Sequence, residues 1–310
     1  MVSGQFNHTM VTFFHIKGIT DIPELQTVFF ILVLLIYLVT VGGNMTILLL
    51  ICLDHRLHSP MYFFLANLSI VDLSSSTVTL HKILLIFISG NHIVSYPACI
   101  IQMYSFASIL GHELLILAAM SYDRYLAICR PLHYHAIMNF KVCALLVAGC
   151  YLLGFVQVLP PIITFANFTC YITTELNHFF CDMVPLMKIT CNDTSFLERM
   201  ILIQGLFIVT LIPFILTFIS YFFIISAILK IRSSAGKQKA FYTCSSHLTV
   251  VILLYIMLVS QYLTPKTYGS LNAKKMFSLF NTAAVPMVNP LIYSLKNRDV
   301  KSAMRRKLGL

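Results

Sequence analysis

Residues 120–129 read MSYDRYLAIC, and this stretch decides how the rest of the chain is interpreted. A long apolar segment runs into it, and Asp123 and Arg124 then stand side by side. Tyr122 and Tyr125 flank the pair. Charges at the end of a lipid-length helix are costly unless they lie at the membrane interface. The stretch therefore marks either an ordinary helix boundary, where Arg and Tyr often gather, or a charge pair with a function at that boundary.

The composition is that of an integral membrane protein. The chain is 58% hydrophobic and only 10% charged, with a mean hydropathy of +0.86, whereas soluble domains carry about 25% charged residues. Its 310 residues allow several crossings, because each crossing needs about 20 apolar residues. The formal net charge of +10 requires no nucleic-acid partner, because basic residues of membrane proteins collect on the cytoplasmic side.

Seven apolar segments predict an all-α membrane protein with a seven-transmembrane helix bundle. Residues 1–27 show no short apolar core behind a basic start, so we expect no cleavable signal peptide. The predicted parts are an extracellular N-terminus (1–27), a seven-helix domain (28–295) and a cytoplasmic tail (296–310). The predicted helices cover residues 28–52, 60–88, 98–128, 142–165, 197–231, 240–263 and 276–295.

The basic residues predict the orientation of the bundle. With the N-terminus outside, 14 of the 21 lysines and arginines fall on the inner side, as expected from the excess of positive charge in cytoplasmic loops. Acceptor triplets for N-glycosylation then lie outside, at Asn7 and also at Asn167 and Asn192. Residues at helical spacing in the tail predict a short amphipathic helix on the membrane surface: Val300, Ala303, Met304 and Lys307.

Two carboxylates, Asp72 and Glu113, fall within apolar segments. No lysine or arginine is near either one in the membrane part of the sequence, so they need a cation or protons. The residues leave open a sodium site formed by the pair, a structural hydrogen-bonding role for Asp72, and simple protonation of one or both. His112 is interpreted as a packing or pocket residue rather than a metal ligand, and no other cofactor is predicted.

The cysteines fall into two groups. Cys99 lies at the outer end of the third helix, and Cys170, Cys181 and Cys191 lie in the outer loop that follows the fourth helix. Four cysteines allow three pairings, and their position on one side suits an oxidising exterior. The other cysteines lie in helices or on the inner side and are predicted to be free thiols.

Four stretches, taken in order, closely resemble the signatures of olfactory receptors, a family of rhodopsin-like G-protein-coupled receptors. They read LHSPMYFFLANLSIVD, MSYDRYLAIC, KAFYTCSSHL and PMVNPLIYSLKNRDV, and the resemblance covers nearly the whole chain. It implies disulfides between Cys99 and Cys181 and between Cys170 and Cys191. It also implies that the two intramembrane carboxylates match the sodium-site carboxylates of the family.

The resemblance further implies a switch at the inner face. Arg124 would be held by Asp123 at rest and released to meet a G protein. Tyr255 would stand at a toggle position where most rhodopsin-like receptors carry Trp, a residue this chain lacks. The residues implied for coupling and switching are Asp123, Arg124, Tyr125, Tyr221, Tyr255, Asn289, Pro290 and Tyr293.

The implied function is that of an odorant receptor in the plasma membrane, in olfactory cilia by resemblance. It would bind a small, mostly apolar ligand inside the bundle and activate a stimulatory, olfactory-type G protein to raise cAMP. The residues expected to line the ligand pocket are Phe106, Ala107, Leu110, Gly111, Met183, Gly205, Val209, Leu258, Val259, Tyr262 and Thr282.

Other interpretations and two departures from the family pattern remain. Tyr242 replaces a more common Ser and is expected to alter basal activity, and Ile256 replaces a usual Gly and is expected to reshape the pocket. A receptor of the same fold could serve a non-odorant ligand outside the nose. An ion-coupled transporter would use the buried carboxylates and Pro290, but the two halves show no internal repeat. Because no Gly-x-Ser-x-Gly elbow occurs, we expect no enzyme.

Overall fold

A computed structural model describes residues 11–20, 22–231, 233–263 and 271–308, and within these ranges the chain forms a bundle of long helices. Prolines at the first helical turn begin α1 and α2, where their missing N–H would have no partner in any case. Because of Pro23, α1 begins before the predicted residue 28. The helices are α1 (Pro23–Leu53), α2 (Pro60–Ser89), α3 (Tyr96–Cys129), α4 (Phe140–Ala166), α5 (Ser195–Lys230), α6 (Ser234–Leu263), α7 (Leu271–Lys296) and α8 (Arg298–Leu308).

Six of the described helices, α1 to α6, are long and apolar enough to cross a membrane. Within the described residues, the seventh helix, α7, is not one of these six, and its sequence contains two prolines and the asparagines Asn281 and Asn289. It nevertheless packs against α1, α2 and α6. The bundle therefore contains six candidate membrane spans and one more polar helix among them.

Two prolines, Pro286 and Pro290, lie within α7, yet the helix is continuous and shows no break around Asn289. Pro290 has no N–H, so the carbonyl of Pro286 loses its usual partner within the helix. Asn44 of α1 donates to this carbonyl at 3.1 Å. Gly43 allows the close approach, because a Cβ there would lie 2.9 Å from the Pro290 ring. The two prolines would be expected to make the helix irregular around Asn289, but the free carbonyl is satisfied by α1 and the helix continues.

The outer side carries a three-stranded sheet that the sequence did not predict. Its strands are β1 (Phe13–Ile16), β2 (Ile93–Ser95) and β3 (Glu175–Leu176), in the order β2-β1-β3. Strand β1 runs antiparallel to β2 and parallel to β3. Phe14 and Ile16 point inward and are fully buried, whereas their neighbours are exposed. The N-terminal segment therefore joins two outer loops into one layer.

Two disulfides hold the outer loop between α4 and α5. One joins Cys99 at the start of α3 to Cys181 in the loop, and the other closes the loop between Cys170 and Cys191. Gln102 adds a polar connection, because its amide accepts from the Cys181 N–H at 3.0 Å and donates to a carbonyl of α2 at 2.8 Å. The loop is therefore fixed against the outer ends of α2 and α3.

The inner half is closed by a packed apolar core and by the tail helix. Val300 and Ala303 of α8 are fully buried in this core. Arg306 of α8 makes an ion pair with Asp54 at the end of α1, with Nη2 and Oδ2 2.6 Å apart. Tyr62 of α2 donates to Asp299 at 3.0 Å. The apolar side of the tail helix thus packs against the inner ends of α1 and α2.

Candidate functional site

The outer half of the bundle encloses a cavity of about 960 Å³ between α3, α4, α5, α6, α7 and the outer loop. This volume lies in the range of small-molecule sites. Eight of the eleven residues predicted to line the pocket do line it: Phe106, Ala107, Leu110, Met183, Gly205, Val209, Leu258 and Thr282. These residues were predicted from the pocket position that the family resemblance implies, and helical periodicity showed only that they could face the interior of the bundle.

Two residues predicted to line the pocket lie elsewhere, and a third cannot be placed. Val259 is 50% exposed on the outer surface of α6, because it follows the inward-facing Leu258 by one residue, about 100° around the helix. Gly111 lies in the contact between α3 and α4. The side chain of Tyr262 lies outside the described residues. Ile256 is 58% exposed, so the expected change in pocket shape at this position is wrong.

The contact between α3 and α4 depends on two glycines. A Cβ on Gly111 would lie 2.0 Å from the Nε2 atom of Gln157, and one on Gly154 would lie 2.0 Å from the ring of His112. Each helix therefore receives a large side chain of the other over a glycine. The His112 ring also makes a 3.1 Å hydrogen bond with the carbonyl of Tyr151. His112 thus serves the packing of the two helices.

The cavity wall in α5 is a wide, π-helical segment, Gln204–Leu211. Pro213 follows it and has no N–H for a carbonyl four residues earlier, which favours a local shift of the hydrogen-bond pattern. The hydroxyl of Thr210 instead donates to the carbonyl of Gly205 at 2.7 Å. Four residues of this segment line the cavity: Gln204, Gly205, Val209 and Thr210.

The sequence missed most of the polar wall. Gln157 and Gln204 line the cavity, as do His178, Lys188 and Lys275 at its outer end. The signal available for the glutamines was their position as isolated polar residues in the apolar segments of α4 and α5. The loop residues gave no such signal, because their position depends on the fold of the loop.

Ionisable groups cluster at the outer end of the cavity. His178 is buried, and burial lowers the pKa of its imidazole to about 4, so the ring is neutral at neutral pH. Burial also raises the pKa of the Asp182 carboxyl to about 6, against the lowering influence of the backbone N–H groups of the next two residues. Lys275 donates to the Asn177 side chain at 3.2 Å. The cavity thus carries ionisable groups of the loop at its outer end, in addition to Glu113, which lines the cavity from α3.

A polar centre borders the cavity, where the amide of Asn289 in α7 meets Asp72 and Glu113, and Glu113 is one of the residues that line the cavity. The Asn289 nitrogen donates to both oxygens of Asp72, at 3.1 and 3.0 Å, and to Glu113 at 3.4 Å. All three side chains are buried. Neither carboxylate takes part in an ion pair among the described residues. The pair therefore needs protons or a cation to balance it.

The carboxylate oxygens of this centre are ligands of the kind that hard cations prefer. Within the described ranges, no group of three or more His, Cys, Asp and Glu side chains is arranged to hold a metal ion. A sodium ion would therefore depend on Asp72 and Glu113, with other oxygen ligands supplied by hydroxyls, carbonyls or water. The chemistry of the donors fits such an ion.

The inner end of α3 carries a closed charge pair. Asp123 is fully buried and accepts from the Nε of Arg124 at 2.9 Å and from a second guanidinium nitrogen. It also accepts from the hydroxyl of Tyr134, in the following loop, at 2.8 Å. Burial and the nearby carboxylate raise the pKa of Tyr134, which keeps this hydroxyl protonated as a donor. Arg124 is thus held by its neighbour, and Asp123 in turn is held by the loop.

Of the other residues predicted for switching, Tyr221 lies in the inner half of α5, Tyr255 lies beside the cavity in α6, and Tyr293 lies in the inner half of α7. The Tyr221 hydroxyl donates to the carbonyl of Cys244 at 3.2 Å and lies 2.8 Å from Nδ1 of His247. Tyr255 reaches the carbonyl of Thr210 at 3.4 Å. The Tyr293 side chain is fully buried, and its hydroxyl has no hydrogen-bond partner among the described residues.

Comparisons with known proteins agree across nearly the whole chain. A family model described as olfactory receptor matches residues 33–309. Olfactory receptor 5AR1 of Mus musculus is 43% identical over 98% of this chain and 97% of its own length. Olfactory receptor 5M5 of Mus musculus is 45% identical over 98% of this chain and 94% of its own. Olfactory receptor 5B12 of Homo sapiens is 42% identical over 98% of this chain and 96% of its own length.

Proposed function

The chain belongs to the olfactory receptor family, and we propose that it binds a small, mostly apolar odorant in the outer cavity and activates a stimulatory, olfactory-type G protein to raise cAMP. The observation that carries this proposal is the enclosed cavity of about 960 Å³, lined largely by apolar side chains and separate from the inner charge pair. A site of this size and polarity suits a small volatile molecule. The family is one of receptors, not of enzymes.

In this proposal, α1 to α7 cross the plasma membrane with the N-terminus outside, and the tail helix lies on the cytoplasmic surface. The excess of lysines and arginines at the inner ends of the helices supports this orientation. The disulfides of the outer loop support it as well, because disulfides persist in an oxidising exterior. In a sensory neuron the receptor would be located in the cilia. Asn7 and Asn167 begin acceptor triplets and are proposed as glycosylation sites. Asn167 is exposed, and Asn7 lies outside the described residues.

Three helices contribute residues both to the ligand cavity and to the inner region around the Asp123–Arg124 charge pair. The cavity and the charge pair are on the same helix, α3, which holds Leu110 at the cavity and Arg124 at its inner end. The other two are α5, with Gly205 and Tyr221, and α6, with Leu258 and His247. A ligand that binds better to one packing of these helices shifts the population toward that packing. Activation would separate Arg124 from Asp123 and open the inner face to the G protein.

A sodium ion at Asp72 and Glu113 is part of the proposal for the resting state. Two buried carboxylates with one shared amide donor support it, because a cation would balance their charge. The ion would stabilise the arrangement of α2, α3 and α7 around Asn289. Thermal unfolding of the purified receptor in sodium chloride and in choline chloride tests this, since Asp72→Asn should remove any sodium-dependent gain.

The function is tested by a cAMP reporter assay in cells supplied with the olfactory stimulatory G protein. An odorant panel is applied to the wild type, to Arg124→Ala, and to Arg130→Ala as a control at an exposed position nearby. We expect a ligand-dependent rise that is lost in Arg124→Ala and kept in Arg130→Ala, at equal surface expression. A rise that survives Arg124→Ala would contradict the switch. If no odorant of the panel raises cAMP, a receptor for a non-odorant ligand is favoured. The tissues that contain the transcript would then be determined.

A further inference from the structure

The outer end of the cavity carries two lysines that lie close to the same loop histidine. Lys188 of the outer loop and Lys275 of α7 both line the cavity. Burial is the main cause of the lowered pKa of the His178 imidazole, and the positive charges of Lys275 and Lys188 lower this pKa further. A cavity that is otherwise lined largely by apolar side chains thus has two positive charges near one ring at its outer end.

Lys275 is the more buried of the two lysines, because only 3% of it is exposed, whereas Lys188 is an exposed residue. The Nζ atom of Lys275 donates to the side-chain oxygen of Asn177 at 3.2 Å, and Asn177 also lines the cavity. An ammonium group has three donors, so it can hold this amide and a ligand oxygen at the same time. A negative charge beside a buried ammonium interacts with it more strongly than one at the surface does, because water screens it less.

The carboxylates that line this end do not cancel the two positive charges. Glu175 lines the cavity, but its carboxylate is paired with Lys17 of β1, with Nζ and Oε2 3.0 Å apart. Asp182 is the second carboxylate of this end, and the charge of Lys188 acts on it. Among the described residues, the outer end therefore has one more positive charge than it has negative charges without a partner in β1.

The outer end of the cavity meets the outer surface of the protein, because Glu175 and Lys188 line the cavity and are also exposed. Farther in, the wall contains the carboxyl group of Glu113 among apolar side chains such as Leu254 and Val285. The positive charges and the apolar wall thus lie in different parts of the cavity. A ligand with a negative head group and an apolar chain would bind with its head group at the outer end.

We propose that the outer end of the cavity is an anion subsite, and that the receptor prefers carboxylic acids with an apolar chain. The carboxylate would accept from Nζ of Lys275 in a charge-assisted hydrogen bond, which is stronger than one between neutral groups. Lys188 would attract the anion where the cavity opens. A methyl ester or an alcohol with the same chain has no charge, and an amine has the opposite charge. The inference rests on the proposed function and names its ligand class.

The experiment compares hexanoic, octanoic and decanoic acids with the methyl esters, alcohols and amines of the same chain length. It uses the full-length receptor at neutral pH, where the acids are ionised. The variants are Lys275→Met and Lys188→Met, which keep an unbranched side chain and remove the charge. The matched control is Arg199→Met, which removes an exposed positive charge of α5 outside the cavity wall. The readout is the ratio of potency between an acid and its ester in the cAMP assay, because a general loss of expression lowers both alike.

We expect the wild type and Arg199→Met to respond to the acids at lower concentration than to the esters, and to the same degree. Lys275→Met should reduce this preference by roughly tenfold or more, the effect of about one hydrogen bond to a charged group. Lys188→Met should reduce it by about two- to threefold, because an exposed charge is screened. A wild type that responds to the acids no better than to the esters would overturn the inference. So would a preference that Lys275→Met leaves unchanged.

Two outcomes separate this inference from the proposed function. If esters, alcohols or amines raise cAMP but the acids do not, the anion subsite is wrong and the receptor function stands. If no compound raises cAMP, the receptor function fails, and thermal stabilisation of the purified receptor by octanoate relative to methyl octanoate decides the subsite. If Lys275→Met does not reach the cell surface, the preference of the wild type and its reduction in Lys188→Met decide.

Discussion

In the outer half of the bundle the helices surround a cavity of about 960 Å³, whereas in the inner half they close on a packed core. The outer half is held by two disulfides and a sheet, and it leaves polar atoms of Gln157, Gln204 and His178 unpaired. The inner half is held by hydrogen bonds and ion pairs between helices, such as those of Asp123 and Tyr221. The connections are covalent outside and reversible inside.

This difference fits a receptor that must keep a fixed binding site and change its inner face. The two disulfides constrain the outer loop whether or not a ligand is bound. The inner bonds can be exchanged, because each is worth only about 0.5–1.5 kcal/mol in net stability. In the inner half, the buried hydroxyl of Tyr293 has no hydrogen-bond partner among the described residues.

The largest expected effect comes from the covalent link in the outer half. Cys99→Ser removes the disulfide with Cys181 and should cost about 2 to 4 kcal/mol of stability, with a large loss of receptor at the cell surface. Cys52→Ser changes a free, exposed thiol of α1 and should have little effect. Surface labelling and the thermal midpoint of purified receptor measure both. Equal behaviour of the two variants would mean that the outer half does not depend on its covalent link.

The next largest effect is expected from a substitution in the contact between α3 and α4, beside the cavity. Gly154→Ala places a Cβ 2.0 Å from the His112 ring, so the ring must move at a cost of about 1 to 3 kcal/mol. Gly149→Ala is the matched control in the same helix, because nothing lies within 4 Å of its Cβ position, and it should be neutral or slightly stabilising. Thermal unfolding separates the two. A Gly154→Ala receptor as stable as Gly149→Ala would show that the contact is loose.

A smaller effect is expected at the inner face. Tyr134→Phe removes the 2.8 Å hydrogen bond to Asp123, worth about 0.5–1.5 kcal/mol, and should weaken the hold on Arg124. Basal cAMP should rise by about two- to tenfold, as this energy implies. Tyr122→Phe, at an exposed tyrosine nearby, is the control and should leave basal cAMP unchanged. Basal activity that does not rise in Tyr134→Phe would mean that the loop does not restrain the charge pair.

The smallest expected effect is the pH dependence of the stability of the outer loop. It is small because the titrations of His178 and Asp182 change the stability in opposite directions. His178 has its pKa lowered from 6.5 to about 4, so its contribution to stability is lost as pH falls through this window. Asp182 has its pKa raised from 3.8 to about 6, so stability is gained as pH falls from about 6. The wild type should change little between about pH 6.5 and pH 4.

Single variants should expose the two opposing slopes. His178→Asn leaves the Asp182 contribution, so the thermal midpoint should rise as pH falls. Asp182→Asn leaves the His178 contribution, so the midpoint should fall over the same range. Slopes of the same sign in both variants would contradict this assignment of the outer-loop charges.

Sequence patterns were sufficient to predict those features that depend on residues close together in the chain. The apolar segments predicted the helices, and the charges of Asp123 and Arg124 marked the inner end of α3. Once the family's pocket position was assumed, six lining residues were predicted correctly in α3, α5 and α6, together with Met183 of the outer loop and Thr282 of α7. Sequence patterns were not sufficient to tell Leu258 from Val259, because one residue of rotation separates a cavity wall from the outer surface.

The sequence by itself determined a helical membrane protein of the olfactory receptor type, since hydrophobic length and local charge are properties of contiguous residues. Only the tertiary structure decided which polar groups meet. The bond between Tyr134 and Asp123, the carbonyl of Pro286 satisfied by Asn44, and the N-terminal strand in the outer sheet all join parts of the chain that local pattern does not connect. The unpaired amide atoms of Gln157 and Gln204 also appear only after packing, because packing determines which polar atoms are left without a partner among the described residues.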